Sequence, residues 1–239
     1  MEKALNRLVE KLKAAAGSNL KSVVLYGSAA RGEFHHGHSD LNVLCVLDKM
    51  DAAELEKLSA PAAWWEQKGH PAPLVFTLEE LRNAADVFAI ELMDIRDSRR
   101  VLYGEDVFAG LEVPTRLHAL QVERELRTNL VRLRQAYLRA PGNNSAVLEL
   151  MDASVGGFKT LFRHALIALG TEAPKSGREA IEHLAKMMNF DPSPFQTLRE
   201  LREGTRKRGQ VDVAATFRGY LAAITRVTEE VDRRLAGRS

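Results

Sequence analysis

The residues best placed to do chemistry stand in one short stretch, Leu25-Tyr26-Gly27-Ser28-Ala29-Ala30-Arg31-Gly32 followed by Ser39-Asp40-Leu41-Asn42. Eleven residues separate Ser28 from Asp40. One apolar run (Val23, Val24, Leu25) enters the Gly-Ser turn, and a second (Leu41, then Val43 to Leu47) leaves Asp40 behind. A glycine turn lets backbone N–H groups approach a phosphate closely, with a serine hydroxyl as an extra donor. A carboxylate at the start of a strand suits Mg²⁺, which prefers oxygen ligands. Side chains at i and i+2 of a strand share one face, so residues 40 and 42 act as a pair. Here the pair is one acid and one amide.

This stretch resembles the signature of the nucleotidyltransferase superfamily (the polymerase-beta-like group), which reads Gly-Ser and then Asp-x-Asp. Gly27-Ser28-x-x-Arg31-Gly32 matches its Gly-Ser-x-x-Arg-Gly form, and Ser39-Asp40 matches its Ser-Asp. Asn42 stands where the second acid belongs. The resemblance implies transfer of a nucleoside monophosphate from a triphosphate to a hydroxyl. Two Mg²⁺ ions roughly 4 Å apart would clamp the attacking and leaving oxygens. It implies Asp40 as catalytic residue and metal ligand, Asn42 as a weak second ligand, and Gly27, Ser28 and Arg31 as nucleotide-binding residues. A third carboxylate is expected on a later strand, just before a helix. The strand in that place, Leu74-Val75-Phe76-Thr77, holds no acid, and Leu74 stands about where it would be.

Replacement acids are available in Glu91 and Asp94, if Phe88 to Ile95 forms a neighbouring strand. The alternative, that they are edge or cap residues, is preferred. His35, His36 and His38 crowd the loop before Asp40. A transition-metal site is one reading of them, and a solvated loop that touches phosphates is the favoured one.

Two function classes follow. The first is a non-catalytic descendant that keeps the turn and binds a nucleotide, or serves as an interaction module. The second is an active Mg²⁺-dependent transferase. An Asn lends a metal a neutral oxygen but removes one negative charge, so the missing acids favour the first. A third reading rests on Arg178 and His183, whose Arg-x4-His spacing is that of HEPN ribonucleases and would make an RNA-acting or toxin–antitoxin-type module. A capping box, Ser176-x-x-Glu179, explains the same segment as an ordinary helix start.

The elements that position these residues fall into two halves. Leu5, Leu8 and Leu12 recur at helical spacing until Gly17-Ser18-Asn19, ahead of a sheet that begins at about Ser22. Asp51 to about Gln67 reads as a helix with Leu55, Leu58 and Trp64 inside. From Leu117 onward only helical periodicity appears: Leu117 to Tyr137, Val147 to Leu169, a helix opened by the capping box, one opened by Ser193 with Pro194 at its first position, and Val213 to Leu235. The expected fold is therefore an α/β head, residues 1–112, followed by an all-α helical bundle, residues 113–239. The bundle resembles that of kanamycin-type nucleotidyltransferases by architecture. Gly156-Gly157 interrupts its second helix, read as close helix packing or as room for a ligand with Lys159 reaching a phosphate. Arg206-Lys207-Arg208 is a solvated loop or a patch for nucleic acid or an acidic partner.

Composition is that of a soluble globular protein, 45% hydrophobic and 28% charged over 239 residues. The net charge of +2 hides an asymmetry. Residues 1–115 hold 13 Lys/Arg against 18 Asp/Glu, and residues 116–239 hold 21 against 14. This suits a cleft with a metal-binding and a phosphate-binding wall, or plain complementarity between packed domains. Cys45 is the single cysteine and reads as a buried, inert thiol. With no membrane-length apolar stretch and no signal-peptide core, a cytoplasmic location is expected. A nucleoside triphosphate is the expected ligand, and self-association is compatible with the sequence.

Overall fold

The structure, a computed structural model, describes residues 1–31, 40–140 and 142–236. It divides into two compact units, Met1–Thr115 and Arg116–Ser239. The first begins with α1 (Glu2–Ala16), which stops at Gly17, and β1 (Leu20–Tyr26). It continues through β2 (Asn42–Leu47), α2 (Ala52–Glu66), β3 (Leu74–Thr77), α3 (Leu78–Asn83), α4 (Ala89–Ser98) and β4 (Arg100–Gly104). The four strands make one mixed sheet in the order β3-β2-β1-β4. β1 pairs antiparallel with β2, Tyr26 opposite Asn42, and β3 runs parallel to β2, Leu44 opposite Leu74.

Alternation along the strands sorts their side chains onto two layers. Val23, Leu25, Val43 and Cys45 pack with Leu5, Leu8, Leu12, Leu58 and Trp65 of α1 and α2. Val24, Leu44 and Val46 pack with Leu81, Leu92 and Ile95 of α3 and α4. Burial pushes the Cys45 thiol up to about 12, which keeps it protonated and inert.

Two expectations for this unit are overturned. Phe88 to Ile95 is not a strand: α4 occupies Ala89–Ser98, because Ala89, Leu92, Met93 and Ile95 are buried at helical spacing, Leu92 and Ile95 against the sheet. In α2, Trp65 rather than Trp64 is fully buried, and Leu55 is 46% exposed. The helix is rotated so that Leu58, Pro61 and Trp65 face inward.

The second unit is all helix: α5 (His118–Leu138), α6 (Asn144–Ala168), α7 (Gly177–Met188), α8 (Ser193–Arg202) and α9 (Val213–Ala236), with a short 3₁₀ turn before α9. Phe158, Phe162, Phe195 and Tyr220 form a chain of ring contacts at its centre, with centroids 5.1 to 6.4 Å apart. The Ser176 hydroxyl accepts from the Glu179 N–H, the expected cap of α7. α8 starts one residue earlier than expected, at Ser193, because Pro192 is its N-cap and Asp191 engages the Ser193 N–H and hydroxyl. Gly156 and Gly157 face open space, so neither serves close helix packing, and α6 runs through them unbroken. No described helix is long and apolar enough to cross a membrane.

Candidate functional site

β1 ends at Tyr26 and delivers the chain to Gly27, whose φ of 80° only glycine adopts without strain. The Gly27 carbonyl accepts from the Ala30 and Arg31 N–H groups at 3.1 and 3.2 Å, so a helical turn opens at once. The Gly27 N–H points the other way and donates to Ser98 Oγ at 3.0 Å. The buried Ser98 hydroxyl in turn donates to the Asp94 carbonyl at 2.6 Å. Among the described residues, the N–H groups of Ser28 and Ala29 and the Ser28 hydroxyl have no acceptor or donor partner. They are the donors this turn offers to an anion. Arg31 lies exposed at the end of the turn.

Asn42, the first residue of β2, reaches this turn from the neighbouring strand. Its Nδ2 lies 3.3 Å from the position a Cβ on Gly27 would take. Asp40 is exposed and precedes the strand by two residues. Between them Leu41 is buried with the α1 and α2 side. The Leu41 N–H donates to His70 Nδ1 at 3.5 Å, and the His70 ring lies on Trp65 with centroids 4.5 Å apart. Burial draws the His70 pKa down, and the Asp40 charge opposes that shift. Sequence reasoning missed both His70 and Ser98. Ser98 is a lone residue at the end of α4 and His70 a lone residue in the loop between α2 and β3, and only the fold brings them to residues 27 and 41.

Among the described residues no group of three His, Cys, Asp or Glu residues is arranged to hold a metal. Leu74 opens β3 beside Leu44 and is 41% exposed. Glu80, just beyond β3, is occupied in a capping box with Thr77, its carboxylate accepting from the Thr77 N–H at 2.8 Å. Glu91 and Asp94 lie on a helix, not on a neighbouring strand, Glu91 exposed and Asp94 half-buried. His35, His36 and His38 lie outside the described residues.

In the second unit Lys159 is half-buried on α6, its Cβ 2.8 Å from the position of a Cβ on Gly177 at the start of α7. Arg178 and His183 are both exposed on α7, and Arg178 donates to Glu182 at 2.8 Å. Five residues apart on a helix they point about 140° from each other, so α7 does not bring them together. Arg206 is held by the Thr197 hydroxyl at 3.0 Å and Glu200 at 3.2 Å. One further pair was not expected: His118 of α5 and His164 of α6 are both buried and share a hydrogen bond of 2.8 Å.

Comparison with known proteins bears on the first unit most directly. Residues 2–98 match the family model of the nucleotidyltransferase domain. Among solved structures the chain is similar to the spectinomycin adenyltransferase AAD(9) of Enterococcus faecialis, solved with ATP and spectinomycin. That likeness covers 99% of both chains at 14% identity, with a TM-score of 0.54. A toxin–antitoxin structure with AMP-PNP is 17% identical over 53% of this chain and 98% of its own, with a TM-score of 0.34. No curated protein matches. The Gly-Ser turn between antiparallel strands thus falls inside the segment, residues 2–98, that matches the nucleotidyltransferase domain, and the chain shares its fold with an adenyltransferase.

Proposed function

We propose that the protein binds a nucleoside triphosphate at the Gly27–Ser28 turn and has lost most or all capacity to transfer its nucleotidyl group. The observation that carries this reading is the contrast between an intact donor turn and a depleted acid set. Ser28 and Ala29 offer two N–H groups and a hydroxyl, while the two-metal chemistry of the superfamily retains one carboxylate, Asp40. An amide at residue 42 and a leucine at residue 74 do not fit a two-Mg²⁺ centre, which needs anionic oxygen ligands to hold the charge of two ions. Binding of the triphosphate rests on hydrogen bonds and on Arg31, which do not require that centre.

Titration calorimetry with ATP and GTP, with and without Mg²⁺, tests the binding half. Measurable heat for a triphosphate in the folded protein is the expected outcome, and its absence for both would sink the reading. A second reading, an active transferase with a small-molecule hydroxyl acceptor, is favoured by the fold likeness to an antibiotic adenyltransferase across both chains. Mass spectrometry of hydroxyl-bearing acceptors incubated with protein, ATP and Mg²⁺ separates the two. An acceptor heavier by one nucleoside monophosphate would establish the second.

A further inference from the structure

We infer that Ser98 is a positioning residue for the phosphate-binding turn, acting through the Gly27 backbone. The inference rests on the nucleotide-binding reading above. Ser98 is 4% exposed, and its hydroxyl is used twice: it accepts from the Gly27 N–H at 3.0 Å and donates to the Asp94 carbonyl at 2.6 Å. Both polar contacts run inward, so the hydroxyl is not itself a ligand for substrate. Their effect is to tie the last turn of α4 to the first residue of the Gly-Ser turn, across 71 residues of sequence.

The tie matters because of the geometry it stabilises. Gly27 is the hinge of the turn, with a positive φ and no side chain to restrict it, so its peptide can rotate at little cost. The Ser98 bond holds the Gly27 N–H against the protein. With Gly27 held, its carbonyl faces the Ala30 and Arg31 N–H groups. The Ser28 and Ala29 N–H groups are then left unpaired and side by side. Without the Ser98 hydroxyl, the Gly27 N–H is an unsatisfied donor in a partly buried place, and the turn relaxes to find it a partner. Preorganisation of the two donors is then lost, and a phosphate must order the turn on binding.

The test compares ATP affinity of the parent with that of Ser98→Ala, Ser98→Cys and Ser98→Thr, at a temperature where all are folded. Cysteine fills the space but is a poor acceptor, so it stands in if the alanine variant does not fold. Loss of the hydroxyl in either should weaken ATP binding about tenfold, the scale of a lost buried hydrogen bond, and threonine should restore most of it. Ser22→Ala is the matched control, since Ser22 is also fully buried and donates to the Glu105 carbonyl at 2.6 Å, beside the β1–β4 pairing. It should lower stability and leave ATP affinity unchanged. Amide exchange at Gly27, read by NMR on glycine-labelled protein, should be slow in the parent and fast in Ser98→Ala. Parent binding with equal affinity in Ser98→Ala and Ser98→Cys would overturn the role of Ser98 alone. Absence of ATP binding by the parent would overturn the nucleotide reading and this inference with it.

Discussion

Asn42 is the residue on which the chemistry of the head turns. It is nearly isosteric with aspartate, it follows Asp40 by two residues, and its amide lies against Gly27 at the Gly-Ser turn. An acid there would add a unit of charge beside Asp40 with little change of shape. Asn42→Asp is therefore expected to bind Mn²⁺ or Mg²⁺ more tightly than the parent. It should also be less stable without metal by about 1 kcal/mol, the scale of repulsion between two neighbouring carboxylates near a surface. Metal titration and thermal melts of both proteins in one buffer check this. Equal metal affinity would mean that residue 42 does not take part in a metal site. Leu74 is half-exposed at the position where the family resemblance puts an acid, and it offers apolar surface there rather than a metal ligand.

At the scale of elements, two ties between segments distant in sequence do most of the positioning. One is the Ser98 bridge from α4 to the turn. The other is the His118–His164 bond between α5 and α6, in which one ring nitrogen donates and the other accepts. Burial, and secondarily the neighbouring His164, lower the His118 pKa to about 4 from an ordinary value of 6.5. The unfolded chain thus takes up this proton at a higher pH than the folded one. The stability that burying neutral His118 contributes is fully present above about pH 6.5 and is lost as pH falls from there towards 4. Linkage over that interval amounts to about 3 kcal/mol. Urea melts followed by far-ultraviolet circular dichroism at pH 7 and pH 5 should show the loss. In His118→Leu the part of the dependence that belongs to this pair should vanish; an undiminished pH dependence in that variant would assign it to other groups.

Across the whole molecule, the two compact units carry different reporters and different charge. Both tryptophans, Trp64 and Trp65, belong to α2 of the first unit, while the second unit, built from α5 to α9, supplies most of the helix. Each unit has its own core, so cooperativity need not extend across both. Tryptophan fluorescence and circular dichroism at 222 nm are expected to give different urea midpoints, the first reporting the head and the second chiefly the bundle. Coincident midpoints would show that the units unfold as one.

Much of the local architecture was legible in the sequence because it is set by short-range physics. Leu5, Leu8 and Leu12, the Ser176 cap and the apolar runs around Gly27 and Asp40 specify helices and strands by period and capping. The Gly-Ser spacing with Arg31, Gly32 and Asp40 carried the resemblance that the domain match over residues 2–98 supports, because such a turn has a steric requirement that few residue types satisfy. The amide at residue 42 and the leucine at residue 74 were legible too, since they are a matter of which letters stand there. What the sequence could not decide was anything that depends on one segment meeting another. The stretch from Phe88 to Ile95 is short and apolar, a pattern that strand and helix share, and its packing against the sheet settled it as α4. Trp65 rather than Trp64 turned inward because the rotation of α2 is chosen by the surface it covers. Ser98, His70 and the His118–His164 pair carry no signal of spacing at all. They became functional or structural neighbours only when tertiary packing buried their polar atoms, since a buried donor or acceptor must find its partner wherever the fold supplies one.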